Sequence, residues 1–274
     1  MDVSQFQLLG ILLGVFIGIV MALTGAGGSI LAVPILIFGL GLSLLQTVPI
    51  ALLAVMLAAG MAAFMGLRAG IVRYKAASLL ASFGLVMAPL GVWLAHSVNN
   101  QVLTLIFSIL LMYVAIRMLL QARRLISKET GDCHDVSQPC RVNQHIGKLS
   151  WNAPCARAMI LSGAVAGFFS GLLGVGGGFV IVPALRKFTD LEMKSIVATS
   201  LAAITLVSAG SVLVYAIKGA IVWHLALPFV IGTMLGMVSG GMLAEQLKNH
   251  HMQISFGILA FVIACALLFK TCIQ

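Results

Sequence analysis

Charge is what this 274-residue chain has least of: only 8% of its residues are Asp, Glu, Lys or Arg, against roughly 25% in a soluble domain. That is too little solvating surface for a water-soluble enzyme or binding module. Acid is scarcer still. All seven acidic residues, Asp2, Glu129, Asp132, Asp135, Asp190, Glu192 and Glu245, fall at ends or in loops, so the buried carboxylate that a proton relay or cation site ordinarily uses is missing. Cysteine is sparse and odd in number, five residues without a dense framework. Cys133, Cys140 and Cys155 lie in a basic central stretch, which predicts reduced thiols and no structural disulfide. The opening MDVSQFQ has no basic run ahead of its apolar one, so the first helix is expected to stay rather than be cleaved as a signal peptide.

What is abundant is apolar sequence, 61% of the chain with a mean hydropathy of +1.13. The fold class this predicts is an all-α integral membrane protein with the lipid bilayer as its partner. Runs bounded by charge or turn residues give ten helical pieces, about 8–23, 29–42, 47–67, 76–96, 101–122, 158–173, 178–187, 195–217, 221–244 and 252–270. Six approach the roughly 20 residues that span a bilayer core. The other four, about 10 to 16 residues each, flank two glycine clusters, and each pair reads as a re-entrant hairpin or a broken crossing.

The two clusters repeat one phrase, ALTGAGGSILAVP from Ala22 and GLLGVGGGFVIVP from Gly171, 149 residues apart. Placing Pro34 on Pro183 superimposes Gly14, Gly18, Gly25, Gly27 and Gly28 on Gly163, Gly167, Gly174, Gly176 and Gly177. Coincidence at one fixed offset marks a duplicated unit. The chain divides into a first membrane repeat, 1–122, a polar linker, 123–157, and a second repeat, 158–274. Alternate loops hold 14 of the 16 Lys and Arg on one side, with Lys218 and Lys270 opposite. The positive-inside rule places the larger set, with the linker, in the cytoplasm and both termini outside, so the net charge of +9 reflects topology rather than a nucleic-acid partner. The repeats then have inverted topology, each a glycine-broken helix pair followed by three crossings, an architecture of secondary transporters.

Contiguous glycines in hydrocarbon break a helix and must be shielded by protein. The helix that restarts after each break offers free N–H groups and about half a positive charge to an anion. The candidate substrate-binding residues are therefore Thr24, Gly25, Gly27, Gly28, Ser29, Gly174, Gly176, Gly177, Gly178, Thr199 and Ser200. Spaced glycines such as Gly14 with Gly18, or Gly232 with Gly236 and Gly240, read instead as helix-packing positions. Arg68 and Lys218, matched by the repeat, are second-line candidates for attracting or gating an anion, against the simpler role of snorkelling at helix ends. A dinucleotide-binding loop is excluded by the membrane-helix flanks of GVGGG. In the linker, Cys133, His134, Cys140 and His145 are soft ligands, but their spacing is not that of a zinc knuckle, so neither a metal nor a cofactor is expected.

The twin phrases GAGGSILAVP and GVGGGFVIVP, with ATSL at Ala198–Leu201, resemble the sulfite exporter TauE/SafE family of membrane permeases over both repeats. The resemblance implies an inner-membrane transporter of sulfite, sulfonates or related sulfur-containing anions, and not an enzyme. The first copy departs from the pattern, reading PIAL at Pro49–Leu52 where the second has ATSL. The expected function is a secondary transporter, an exporter, of a small sulfur-containing anion across the cytoplasmic membrane, with a proton as a possible coupling ion. The alternatives are a membrane sensor or enzyme using the Cys/His linker, and a passive anion channel.

Overall fold

The computed structural model describes residues 3–127, 140, 142–143, 148–149, 152–244 and 249–273. Nearly all of them are helical, because apolar sequence in lipid must satisfy its backbone internally. The N-terminal half contributes α1 (Val3–Thr24), a 3-10 turn (Gly25–Gly28), α2 (Ser29–Gly39), α3 (Leu44–Arg68), α4 (Tyr74–Ser97) and α5 (Asn100–Ser127). The C-terminal half contributes α6 (Ala153–Leu173), α7 (Gly178–Phe188), α8 (Met193–Ile217), α9 (Trp223–Ala244) and α10 (Asn249–Ile273). Between them β1 (Val142–Asn143) pairs antiparallel with β2 (Lys148–Leu149). Among the described residues, seven helices are long and apolar enough to cross a membrane. Side chains such as Leu12, Trp93, Ile109, Leu161 and Leu235 stand exposed on them, as a lipid-facing surface requires.

Among the described residues ten α-helices form where ten apolar runs predict them, with one correction. The pieces preceding the glycine clusters are not short: α1 runs 22 residues and α6 runs 21. Asn152, in extended conformation, and Pro154 just inside start α6 ahead of its apolar run. Only α2 and α7 are half-length, at 11 residues each, or about 16 Å. Each pair is thus one full helix and one half-helix. In the C-terminal half α7 returns toward the end where α6 begins, since Cys140, bonded to Cys155 in the first turn of α6, also donates its backbone N–H to Phe188 O at 3.1 Å.

The helices pack reciprocally between the two halves of the chain. α1 lies along α9 and α6 along α4, the same pairing with the copies exchanged, while α3 packs on α8 and α5 on α10. Residue-level contacts obey the 149-residue offset. A Cβ on Gly14 would meet the Thr233 amide at 2.9 Å, and one on Gly163 would meet Leu80 Cα at 2.9 Å. Gly18 and Gly167 sit equally close to the backbones of α9 and α4. These spaced glycines bring helix backbones together, which in lipid is the principal source of helix association. α3 and α8 form the buried centre, with Val48, Ala51, Val55 and Ala58 on one and Ser200, Ala203, Ile204 and Val207 on the other.

Candidate functional site

The two glycine turns meet each other inside the bundle. Gly25, Gly174, Gly176 and Gly177 adopt left-handed φ values of 69°, 73°, 66° and 73°, which L-residues with a Cβ adopt only at a cost of about 1–2 kcal/mol. Gly25 rests on the side chain of Val197 in α8, and Gly174 rests on Val48 in α3, equivalent residues of the two copies. Ser29, the first residue of α2, joins the turns directly: its Oγ donates to Val175 O at 2.7 Å. Gly176 lies between Val55 and Ile204, again an equivalent pair, each near the middle of its 25-residue helix. The second turn is therefore held at the level of the centres of α3 and α8.

Both half-helices start without a side-chain cap, α2 from Gly28 and α7 from Gly177. In the second turn, the amides of Val175, Gly176 and Gly177 donate to no acceptor among the described residues. Free amides at a helix start, buried away from water, are the elementary form of an anion site. The positive field comes from backbone dipoles, about half a charge at each half-helix. Arg68 and Lys218 stand exposed at the ends of α3 and α8, with the Arg68 guanidinium 4.5 Å from the Phe64 ring centroid, far from the middle of either helix.

The sequence candidates separate into two groups. Gly25, Gly28, Ser29, Gly174, Gly176, Gly177 and Gly178 all belong to the two turns or the first residue of a half-helix, as does Gly27 within the 3-10 turn. The hydroxyl residues other than Ser29 are occupied elsewhere. Thr24 donates to Val20 O at 2.7 Å and Ser200 to Val197 O at 2.8 Å, each within its own helix. Thr199 accepts the backbone N–H of Arg73 at 3.0 Å, and Ser195 donates to Ile71 O at 2.8 Å. Together they fasten the α3–α4 loop to the start of α8. Second-copy ATSL, unlike PIAL in the first, thus supplies a hydroxyl that anchors a loop.

Near the second turn lies a polar set of which only Ser170, a hydroxyl beside the glycine break, is marked by sequence. Ser170 and Ser211 approach to 3.5 Å, and Tyr215 donates to Gly171 O at 3.0 Å with the His96 ring 5.6 Å from its own. Ser208, fully buried, faces Gly176. The signal that finds Ser208 and Ser211 is subtraction of the repeats, since the equivalent positions are Ala59 and Ala62.

The cysteine expectation is overturned. Cys140 and Cys155 form a disulfide with a Cα–Cα distance of 5.2 Å. Backbone pairing of Cys140 with Phe188 and Thr189 carries the linker across the end of α7 and beside α6, a proximity invisible in sequence spacing. Cys140 is thereby withdrawn as a metal ligand, while Cys133, His134 and His145 lie outside the described residues. Among the described residues no cluster of His, Cys, Asp and Glu could hold a metal ion.

The chain matches the family described as "Sulfite exporter TauE/SafE" over residues 10–267. It is 29% identical over 264 residues to a "Probable membrane transporter protein" of Xylella fastidiosa strain Temecula1, covering 94% of this chain and 93% of that one. It is 28% identical over 211 residues to "Probable membrane transporter protein MJ0441" of Methanocaldococcus jannaschii, covering 75% and 70% of the two chains. The protein "Probable membrane transporter protein YunE" of Bacillus subtilis is 25% identical over 268 residues, with 95% and 96% covered. No solved structure matches.

Proposed function

Since the chain belongs to the sulfite exporter TauE/SafE family and is a multi-pass membrane transporter, we propose that it exports a small sulfur-containing anion, sulfite or an organosulfonate, by alternating access around its two glycine turns. The observation that carries this reading is the meeting of the turns. Two uncapped half-helix starts, joined by Ser29 and Val175, lie between equivalent residues of the two repeats. Reciprocal packing of α1 on α9 and α6 on α4 supports inverted repeats that rock against each other about this point. The apolar surroundings suit an anion held by backbone amides, without a cation-binding carboxylate.

The same reading places the chain in the cytoplasmic membrane with its termini outside and the linker inside, on the count of Lys and Arg, and has a proton or the membrane potential drive export. The opposite orientation is favoured by one observation, the Cys140–Cys155 bond, because disulfides persist in oxidising compartments. Transport is tested with the purified full chain in liposomes, by uptake of radiolabelled sulfite, thiosulfate and methanesulfonate with and without a pH gradient. Saturable uptake with counterflow is expected. Unsaturable flux without counterflow would make the protein a pore, and no uptake of any of the three by folded, inserted protein would refute the substrate class.

A further inference from the structure

Most buried or half-buried serines and threonines in these helices bond the carbonyl one turn back, and Ser29, Ser195 and Thr199 instead bond the backbone of a neighbouring element. Ser108 reaches Thr104 O at 2.8 Å, Ser162 reaches Ala158 O at 2.6 Å, Thr205 reaches Leu201 O at 2.8 Å, and Ser211 reaches Val207 O at 3.2 Å. That bond satisfies a hydroxyl in apolar surroundings. Ser208 does neither. Its Oγ is fully buried and bonds to nothing, an arrangement that destabilises a fold and calls for a reason.

The reason lies opposite. A Cβ on Gly176 would stand 3.4 Å from Ser208 Oγ, so the free hydroxyl abuts the turn whose Val175, Gly176 and Gly177 amides also find no acceptor among the described residues. Hydroxyl and amides are donors without acceptors, gathered at one point; what they lack is a group rich in acceptor oxygens. The charge such a group can bring is also bounded. Two half-helix starts supply about half a positive charge each, which balances one negative charge, whereas a dianion would remain buried with a charge uncompensated.

We propose that Ser208 is a direct ligand of the transported anion, and that the site takes a monoanionic oxyanion of the sulfonate type in preference to a dianion such as sulfate. This rests on the reading of the glycine turns as the substrate site. Because the equivalent position is Ala59, the hydroxyl grips the anion from the second repeat only. Entry requires the turn to part from α3 and α8, since a Cβ added at Gly176 would already meet Val55 Cγ1 at 2.9 Å and Ile204 Cγ2 at 3.2 Å.

The test compares wild type, Ser208→Ala and, as a control already bonded to its own helix, Ser211→Ala, using methanesulfonate uptake in liposomes with sulfate as competitor. Thermal unfolding of each protein is followed with and without methanesulfonate. Ser208→Ala is expected to raise the KM for methanesulfonate roughly tenfold or more, the worth of a hydrogen bond to a charged group. It should also abolish the stabilisation by methanesulfonate while leaving the ligand-free protein at least as stable, since no bond is lost. Sulfate should compete far less well than unlabelled methanesulfonate. An unchanged KM in Ser208→Ala, a loss of stability without a change in KM, or sulfate competing equally would overturn the proposal while export of sulfonates stands. Failure of the wild type to carry sulfite or any sulfonate would instead remove the reading on which it rests.

Discussion

Replacing Gly177 by alanine adds one methyl group at the start of α7, and the structure assigns it two separate costs. At φ 73° an L-residue is strained, by about 1–2 kcal/mol. Its Cβ would also lie 2.8 Å from Ala166 O and 2.9 Å from Ala166 Cβ, so α7 must move away from α6. Overpacking of this kind costs about 1–3 kcal/mol. Gly219, after α8, isolates the first cost, because its φ is 65° and nothing lies within 4 Å of the Cβ position. The difference between Gly177→Ala and Gly219→Ala is therefore the packing cost alone, about 1–3 kcal/mol. At roughly 2–4 °C per kcal/mol for a chain of this order of size, Gly177→Ala should unfold roughly 2–12 °C below Gly219→Ala. The assay is thermal unfolding in detergent, followed by tryptophan fluorescence and by loss of the monodisperse chromatographic peak. Equal unfolding temperatures would refute the reasoning, because they would mean that the turn is not held against α6. The same arithmetic shows that a bulkier residue at Gly176 or Gly177 disturbs folding as well as any site, which is why Ser208 is the cleaner probe of binding.

Further outcomes follow from the linker and the α3–α4 loop. With Cys140 and Cys155 bonded, alkylation of denatured, unreduced protein should leave both unmodified until they are reduced, and Cys155 should become reactive without reduction in Cys140→Ser; alkylation of both in the unreduced wild type would exclude the bond. Reduction should lower the unfolding temperature, since closing a loop of about 15 residues contributes roughly 3 kcal/mol. Thr199→Val leaves the Arg73 N–H without its acceptor and should cost about 1 kcal/mol, a fall of roughly 2–4 °C, while Thr199→Ser should restore it. A Thr199→Val protein as stable as wild type but defective in methanesulfonate uptake would return Thr199 to the site.

Much of this protein is written in local sequence. Apolar runs have to become helices in lipid because no other open structure satisfies their backbone, and a duplicated glycine phrase has to break those helices twice because contiguous glycines weaken propagation. Hence the ten helices and the starts of α2 and α7 at Ser29 and Gly178 were legible, as were the spaced packing glycines. Lengths of α1 and α6 were not, since the added N-terminal turns are not apolar runs; in α6 the start is set by Asn152 and Pro154 rather than by hydropathy. Contacts across the chain lie beyond local sequence altogether. That Thr199 holds the Arg73 amide, that Cys140 reaches Cys155 over the end of α7, and that Ser208 stands unpartnered against Gly176 depend on which helices become neighbours. Sequence by itself determined the membrane class and the two breaks, set by hydropathy and backbone freedom. Only the tertiary structure decided which hydroxyls are spent on the protein's own backbone and which remains free, because that is a property of neighbours and not of residue type.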